Sequence, residues 1–294
     1  MITIRVPGTT ANLGPGFDCF GCALSIYGEF SFEERESGLE FENVAPQYCN
    51  RENLAVQGYM RAIREMGLPE PGLYVKIVSD IPDSRGLGSS ASLIVAGVVA
   101  ANEIHGRVLN EQVMLNLVTE LEGHPDNVAP ALLGGLTASL MADGHVVSLN
   151  CPIAPKLRLC ALIPDFELST SLARSVLPDN VPRTDALFNI SRAIVLLKAL
   201  DVADFDAIGF AMDDRLHQPY RAHLIDEYEE VRALALENGA AAFCISGAGP
   251  TLLCVCRDAT FAPKMTEAVK GLRNNWRVLP LMVDMSGAVV VGKE

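Results

Sequence analysis

The segment that most restricts the fold of this chain is a glycine- and serine-rich loop at residues 81–92, IPDSRGLGSSAS. It follows an alternating, strand-like run at residues 73–78 and leads into a helix-like run at residues 89–104 that carries little charge. Glycines let backbone N–H groups turn toward an anion, and a helix start adds unpaired N–H groups and the positive end of its dipole. The loop therefore predicts a phosphate site, with a plain helix N-cap as the alternative.

Two further matches to phosphate-binding motifs fail on their context. Residues 86–91 (GLGSSA) fit the dinucleotide fingerprint, but the acidic residue that this motif needs about twenty positions on would fall near Gly106, between two predicted helices. Residues 287–293 spell GxxxxGK, but Glu294 follows in place of Ser or Thr. We therefore reject the first match and interpret the second as chance.

Length and charge limit the class of protein. The chain has 294 residues, of which 49% are hydrophobic and 20% charged, so two domains with well-buried cores are expected. The formal net charge of −13 argues against a nucleic-acid partner, because phosphate backbones need a basic surface. Neither a signal peptide nor a membrane span is predicted, so a cytoplasmic protein with reduced thiols is expected. We interpret Cys19 and Cys22, and likewise Cys254 and Cys256, as core cysteines, with a zinc or redox site as the alternative.

Strand-like and helix-like segments mix in both halves, which predicts an α+β protein. Prolines near residues 151–155 interrupt the periodicity and predict domains at residues 1–152 and 153–294. Strands are predicted at residues 2–6, 24–32, 73–78, 135–140, 157–163, 241–246, 251–256 and 278–283. Helices are predicted at residues 51–66, 89–104, 111–121, 125–133, 185–200, 226–238 and 261–273.

Two more glycine-rich segments lie on either side of the phosphate loop in the sequence. Residues 7–18 (PGTTANLGPGFD) place Asn12 and Asp18 six positions apart, and residues 246–251 (SGAGPT) lie between two predicted strands. Either segment alone is also typical of a turn that satisfies its own backbone. In this order, the three segments resemble the motifs of the GHMP kinases, the superfamily that includes galactokinase, homoserine kinase, mevalonate kinase and phosphomevalonate kinase.

The resemblance extends from residue 6 to about residue 255. The segments NLGPGFD (12–18), EGHPDNVAP (122–130), FNISR (188–192) and QPYR (218–221) are most similar to those of the homoserine kinases within this superfamily. The resemblance implies a two-domain GHMP kinase fold, with an N-terminal half similar to the second domain of ribosomal protein S5 and a ferredoxin-like C-terminal half. It also implies a small-molecule substrate, homoserine, whose hydroxyl is phosphorylated by ATP in threonine biosynthesis. Dimers are common in the family, and a homodimer stays open.

The resemblance further implies a nucleotide and metal site. The ATP phosphates would lie against the phosphate loop, and the adenine would lie nearer Asn53. Ser90 and Glu122 would hold Mg²⁺, a hard ion that takes few protein oxygens and several waters. Glu120 is the nearby rival to Glu122, and a solvated helix carboxylate is its alternative interpretation. The loop residues expected at the nucleotide are Pro82, Asp83, Ser84, Arg85, Gly86, Leu87, Gly88, Ser89, Ser90, Ala91 and Ser92.

A zwitterionic substrate needs groups of both charges. Asp18 and Asp126 are the candidates for the ammonium, with Asn12 beside them. Guanidinium forks suit a carboxylate, and Arg174 and Arg221 match the family positions, with surface ion pairs as the alternative.

Three more residues complete the predicted pocket. Thr170 and Gly247 would line it, and Asn127 would orient the reacting hydroxyl. The matched segments contain no Asp–Lys pair of the kind that some superfamily members use as a base, so catalysis would rest on positioning and charge stabilisation. We interpret His124 as a neutral structural histidine.

Two other functions stay open on the sequence alone. One is a kinase for another small alcohol, such as shikimate or mevalonate, and the other is a nucleotide-binding regulatory protein without turnover. The two arginines and two aspartates favour an amino acid as substrate. Ser90 and Glu122 favour turnover, because a non-catalytic relative would not need a metal ligand.

Overall fold

The computed structural model describes residues 1–293, which form eleven strands and ten α-helices. The strands are β1 Ile2–Ala11, β2 Phe20–Arg35, β3 Leu39–Glu42, β4 Gly72–Ser79, β5 Leu136–Ala142, β6 His145–Cys151, β7 Arg158–Pro164, β8 Ala240–Ile245, β9 Leu252–Cys256, β10 Trp276–Leu281 and β11 Val289–Lys293. The helices are α1 Leu54–Glu65, α2 Ser89–Ile104, α3 Glu111–Glu122, α4 Pro125–Leu133, α5 Thr170–Ser175, α6 Arg183–Val202, α7 Phe205–Ala211, α8 Gln218–Arg221, α9 Tyr228–Glu237 and α10 Phe261–Ala268.

The first domain is a seven-stranded sheet covered by helices α1 to α4. Its strands run in the order β11-β1-β2-β4-β3, with β5 paired to β2 and β6 paired to β5. Helix α2 is apolar on nearly every side and therefore lies at the centre of the helical layer, where Ile94 and Val95 are fully buried. Gly58 and Gly97 let α1 approach α2 closely, since a Cβ at Gly97 would lie 2.2 Å from the carbonyl oxygen of Ala55.

The second domain is a four-stranded antiparallel sheet in the order β10-β7-β9-β8. Counted along the chain, this is the 4-1-3-2 order of a ferredoxin-like sheet. The buried strand β9 alternates between two cores: Leu253 packs with the α6 and α7 side, and Leu252 packs with the α9 and α10 side. Both domains therefore mix helices and sheets, as expected for an α+β protein.

The observed elements agree best with the predicted ones where a glycine or a proline marks the start of a helix. Helices α2 and α4 have the predicted bounds, whereas strands β3, β6 and β11 and helices α5, α7 and α8 were not predicted. Residues 287–293 include strand β11, which pairs with β1, so the GxxxxGK match is not a phosphate loop. The division at residues 152 and 153 stays a prediction, and strand β11 adds to the sheet of the first domain.

The cysteines differ in their burial. Within residues 1–293 no disulfide forms, and the thiols of Cys22, Cys254 and Cys256 are buried as predicted. Cys19 is exposed, because it follows the loop of Asp18 before β2 enters the core, and its prediction as a core cysteine was wrong. No helix of the described chain has both the length and the apolar character needed to cross a bilayer.

Candidate active site

The three glycine-rich segments meet at one place in the folded chain. The N–H of Thr9 donates to the carbonyl of Leu87 at 3.0 Å, which joins the first segment to the phosphate loop. The hydroxyl of Ser246 donates to the carbonyl of Gly86 at 2.6 Å, which joins the third segment to the same loop. Gly86 and Gly88 have φ of 72° and 73°, and a Cβ at Gly88 would lie 2.0 Å from the hydroxyl oxygen of Thr9. Both positions therefore require glycine.

A cavity of about 660 Å³ opens beside this junction and extends between the two domains. Its wall contains most of the residues singled out in the sequence: Asn12, Asp18, Asn53, Asp83, Ser84, Arg85, Gly86, Gly88, Ser89, Ser90, Ser92, Glu122, Asp126, Asn127, Thr170, Arg174, Arg221 and Gly247. Pro82, Leu87 and Ala91 belong to the phosphate loop but do not line the cavity, and the last two are buried. A volume of this size is typical of small-molecule sites.

The phosphate loop presents the N-terminus of α2 to the cavity. Gly88 is the N-cap of this helix, and it provides no side chain that could cover the first N–H groups. The Ser90 hydroxyl donates to Oε2 of Glu122 at 2.7 Å, and the Ser89 hydroxyl donates to Oδ1 of Asp83 at 2.5 Å. The start of α2 thus combines unpaired N–H groups with two hydroxyls, which is a suitable environment for phosphate oxygens.

The guanidinium of Arg85 is not free to bind phosphate. Its guanidinium donates to the backbone oxygens of Asp83, Pro164 and Asp165 at 3.1 to 3.2 Å. These contacts fix the phosphate loop to the end of β7 in the second domain. Arg85 therefore holds the two domains together at the cavity with the donors that a phosphate would otherwise use.

The two rival carboxylates of α3 have different environments. Glu120 lies on the outer surface, where Arg61 donates three hydrogen bonds of 2.9 to 3.2 Å to it. Glu122 lines the cavity, where burial raises the pKa of its carboxyl and the hydrogen bond from Ser90 opposes that rise. Glu122 is thus the carboxylate positioned beside the phosphate loop.

The start of α4 places a row of polar groups opposite α2. Nδ1 of His124 lies 2.5 Å from Oδ1 of the buried Asp126. Burial lowers the pKa of His124, but the hydrogen bond to Asp126 and its charge outweigh burial and raise it. The interpretation of His124 as a neutral structural histidine stays a prediction. Thr9 donates to Oδ1 of Asn127 at 2.8 Å, which fixes the orientation of that amide at the cavity wall.

The candidate substrate end of the cavity holds two arginines. Arg174 forms two hydrogen bonds with Asp18, and this contact raises the pKa of Arg174. Arg221 is only 1% exposed, and its buried position lowers the pKa of its guanidinium. Asn12 donates to the carbonyl of Gly247 at 2.8 Å and accepts from the N–H of Asp18 at 2.9 Å, so it joins the first and third glycine segments. Arg221 is thus buried, whereas Arg174 forms a partly exposed ion pair with Asp18 at the cavity wall.

The opposite end of the cavity is largely apolar. It is lined by Phe30, Val44, Ala45, Tyr48, Leu54, Ile77 and Leu93. The side chain of Asn53 accepts from the N–H of Ala55 at 3.0 Å and donates to the carbonyl of Tyr48 at 3.1 Å. Asn53 therefore caps α1 and holds the Tyr48 segment in the wall. The apolar character of this end suits a planar base.

Sequence reasoning missed three residues beneath the arginines. The ring of Phe17 lies 5.1 Å from the guanidinium carbon of Arg221 and 5.8 Å from that of Arg174. His217 and Asp214 are buried next to Arg221. The only available signal for His217 was its position four residues before Arg221, which places the two side chains on one face of a helix.

The fold and this cavity define a class, a small-molecule kinase of the GHMP type, and comparisons with known proteins agree. The family model for the GHMP kinases N terminal domain matches residues 53–135, and the model for GHMP kinases C terminal matches residues 196–273. The homoserine kinase of Clostridium botulinum strain Okra is 43% identical over 292 residues, which cover 99% of this chain and 98% of that protein. The homoserine kinase of Clostridium beijerinckii is 40% identical over 296 residues, which cover 99% of both. The chain belongs to the homoserine kinase family of the GHMP kinases.

Solved structures support the same assignment of the fold. The homoserine kinase of Cytophaga hutchinsonii superposes with a TM-score of 0.89 at 26% identity, covering 99% of this chain and 97% of that one. The mevalonate kinase of Methanococcus jannaschii superposes with a TM-score of 0.69 at 13% identity, covering 96% and 98%. The second similarity shows the shared fold alone.

Proposed function

We propose that this protein transfers the γ-phosphoryl group of ATP to the side-chain hydroxyl of L-homoserine, a step of threonine biosynthesis in the cytoplasm. The observation that carries the proposal is that carboxylates and guanidiniums suited to an amino acid line the same cavity as the phosphate loop. An uncharged sugar or alcohol offers no charged group to either the carboxylates or the guanidiniums. The sequence similarity to homoserine kinases along the whole chain supports the same substrate.

The donors and acceptors around the phosphate loop fit a magnesium nucleotide. The Ser90 hydroxyl and the Glu122 carboxylate provide two hard oxygen donors 2.7 Å apart, which suits an ion that keeps several waters. When bound, Mg²⁺ would supply positive charge that neutralises the phosphate oxygens. The N–H groups at the start of α2 would hold the phosphates, and the apolar end of the cavity near Asn53 would hold the adenine.

At the other end of the cavity, Asp18 and Asp126, with Asn12 beside them, would bind the ammonium of homoserine. Arg174 and Arg221 would bind its carboxylate, with the wall completed by Thr170 and Gly247. Charge-assisted hydrogen bonds of this kind fix orientation as well as affinity.

The reaction needs the hydroxyl close to the phosphate and held in line with it. The amide of Asn127, which Thr9 fixes at 2.8 Å, would hold the hydroxyl in this position. A bond forms from the hydroxyl oxygen to phosphorus as the bond from phosphorus to ADP breaks, and the hydroxyl proton leaves late, to a phosphate oxygen or to water. No side chain needs to act as a base in this scheme.

A panel of acceptors tests the proposal. The purified protein is incubated with Mg-ATP and, separately, L-homoserine, shikimate, mevalonate or no acceptor, and ADP release and phosphorylated product are measured by coupled assay and mass spectrometry. We expect phosphorylation of L-homoserine alone. Phosphorylation of shikimate or mevalonate instead would assign another alcohol, and ATP binding without turnover would indicate a non-catalytic relative.

We also propose that the protein is a homodimer that pairs through α6. Leu187, Ile190 and Ile194 lie on the outer face of this helix and are 56 to 67% exposed. Lys198 on the same face pairs with Asp201 at 2.5 Å, so it adds no unpaired charge to this apolar surface. Light scattering should give twice the chain mass, and Ile194→Glu should reduce it to that of a monomer.

A further inference from the structure

The loop that carries Asp18 rests on a buried polar segment that the proposed mechanism does not use. This segment, residues 212–218, connects α7 to α8. A Cβ at Gly14 would lie 2.1 Å from the carbonyl oxygen of Met212, so loop and segment are in direct contact. The side chain of Asn189 also reaches the loop, where it donates to the carbonyl of Pro15 at 3.1 Å.

The segment is organised around the carboxylate of Asp214, which is 4% exposed. It accepts hydrogen bonds from the backbone N–H groups of Leu216, His217 and Gln218 at 2.6 to 2.9 Å, and from the side chain of Asn189 at 2.6 Å. Four donors satisfy this buried carboxylate, and these hydrogen bonds fix the direction in which α8 begins. The start of α8 sets the positions of His217 and Arg221.

His217 is fully buried and contacts both sides of the cavity floor. Its Nε2 lies 2.9 Å from the carbonyl oxygen of Gly14, and its Nδ1 lies 3.3 Å from Nη1 of Arg221. Its ring also stacks on Phe17, with centroids 5.2 Å apart and planes at 20°. One tautomer satisfies both polar contacts: Nε2–H donates to Gly14, and unprotonated Nδ1 accepts from Arg221.

The charges around this imidazole agree with an uncharged ring. Burial lowers the pKa of His217, and the nearby Arg221 lowers it further, whereas the Asp214 carboxylate, 3.6 Å from Nε2, acts in the opposite direction. A protonated Nδ1 would face the Arg221 guanidinium, a second cation, at 3.3 Å. The neutral ring is the form that fits.

Arg221 is held on three sides by these and other contacts. Nε donates to the carbonyl of Ala173 at 3.1 Å, and Nη1 donates to the carbonyl of Gly247 at 3.1 Å as well as to His217. Within residues 1–293, Nη2 makes no hydrogen bond, and Arg221 lines the cavity. Nη2 is therefore the donor left for a ligand.

We propose that His217 is a positioning residue for substrate recognition, which holds the Asp18 loop and the Arg221 guanidinium at a fixed separation so that both contact one amino acid. The inference rests on the proposed function, since it takes Asp18 and Arg221 as the ammonium and carboxylate ligands. Asp214 acts through His217 by fixing the start of α8. The separation that the imidazole sets would match the distance between the ammonium and the carboxylate of an α-amino acid.

Three substitutions of His217 distinguish the effects of its separate contacts. His217→Phe keeps a ring on Phe17 and removes both polar contacts, His217→Asn keeps an acceptor near the position of Nδ1, and His217→Gln keeps a donor near that of Nε2. His145→Phe is the control, because His145 is exposed at the start of β6. Steady-state constants for homoserine and ATP are measured for each variant, with circular dichroism to quantify folded protein.

We expect His217→Phe to raise the KM for homoserine by about tenfold or more while kcat changes by less than about threefold. The rise in KM corresponds to the loss of the hydrogen bond between His217 and the charged Arg221. The KM for ATP should stay unchanged, and the Asn variant should be closer to wild type than the Gln variant, because it keeps the acceptor for Arg221. That order decides the proposal even if the Phe variant does not fold. In a double-mutant cycle, His217→Phe and Arg221→Lys together should raise KM by less than the product of their separate effects.

An unchanged KM for homoserine in all three variants would overturn the proposal. So would a common rise in both KM values with a loss of kcat that follows the loss of folded protein, since that is the result of a merely structural role. The proposed function is judged separately, on the wild-type protein. If the wild type phosphorylates another acceptor of the panel, the proposed function fails, and the same variants measured with that acceptor still decide the role of His217.

Discussion

Asp18 and Arg174 form an ion pair with two hydrogen bonds at the cavity between the domains, with Nη1 3.0 Å from Oδ2 and Nη2 2.7 Å from Oδ1. Each side chain retains more than a third of its exposure, so the pair is accessible to a ligand. These are the groups proposed for the ammonium and the carboxylate of the substrate. An amino acid carries both charges and can therefore replace each partner of the pair with a group of its own.

This relationship predicts how the enzyme treats truncated substrates. The analogue 4-hydroxybutyrate lacks the ammonium, and 3-aminopropan-1-ol lacks the carboxylate, so each leaves one member of the Asp18–Arg174 pair uncompensated. We expect both to have kcat/KM at least about tenfold below that of L-homoserine, the loss expected for a hydrogen bond to a charged group. Coupled assay of ADP release measures this directly. Equal turnover of either analogue would exclude the ion pair as the recognition element.

Two carboxylates of α3 provide a matched pair of variants. Glu122→Gln removes a negative charge beside Ser90 and the phosphate loop, and we expect turnover to fall by roughly two orders of magnitude or more. Glu120→Gln removes a surface partner of Arg61, and turnover should be nearly unchanged. The two variants are compared in one coupled assay with the magnesium concentration varied. A larger loss for Glu120→Gln would mean that the other carboxylate serves the metal.

Asp126 tests whether the mechanism needs a base. Asp126→Asn keeps the shape of the side chain beside His124 but loses the charge for the ammonium, so it should raise the KM for homoserine more than it lowers kcat. If Asp126 took the hydroxyl proton, kcat at saturating homoserine would fall by about 10² to 10⁴. Calorimetry of homoserine binding distinguishes the two cases. A collapse of kcat with intact binding would refute the mechanism without a base.

A prediction on acid stability concerns Glu227, which does not line the cavity. Its carboxylate accepts hydrogen bonds from the N–H groups of Arg273 and Asn274, from the Asn274 side chain and from Nε1 of Trp276. Burial raises the pKa of Glu227, but these donors outweigh burial and lower it from 4.5 to about 2. A carboxyl whose pKa is lower in the folded state stabilises the fold above its unfolded pKa, and the stabilisation is lost as the pH falls toward the folded value.

Glu227→Gln should therefore lower the free energy of unfolding at pH 7, and the difference from wild type should shrink as the pH falls from 4.5 toward 2. Urea unfolding at several pH values measures the free energy of unfolding of the variant and of the wild type. Glu229→Gln, an exposed position on the same helix, is the control and should have little effect at any pH. A destabilisation of Glu227→Gln that is independent of pH would contradict the carboxylate role.

The elements that could be predicted are those whose signal is local. Helix α2 and helix α4 have the predicted bounds because a glycine cap or a proline marks their starts. Strand β6 could not be predicted, because an edge strand with alternating exposed Val147 and Leu149 differs little from a loop. Strand β11 could not be predicted either, since its five residues gain their hydrogen bonds from β1, almost three hundred positions earlier.

The same distinction applies to the site. Ser90 and Glu122 could be predicted through their motifs, and the structure brings them within 2.7 Å. Motifs do not show which residues hold the ligating ones in place. His217, Asp214 and Phe17 make their contacts through folding, so the contact of Arg221 with the Asp18 loop was not visible in the sequence.

The return of strand β11 to β1 means that the backbone crosses between the domains twice. The first crossing follows β6, and the second follows β10, where the N–H of Ser25 donates to the carbonyl of Met282 at 2.9 Å and Leu24 pairs with Val283. A single linker leaves two domains free to rotate relative to each other, whereas two anchored crossings restrict that rotation. The two crossings therefore restrict any opening of the cavity more than a single linker would. Aligning the phosphate loop with the arginines lowers the conformational entropy of the chain. Most of this loss therefore occurs when the chain folds, and little of it recurs at each turnover.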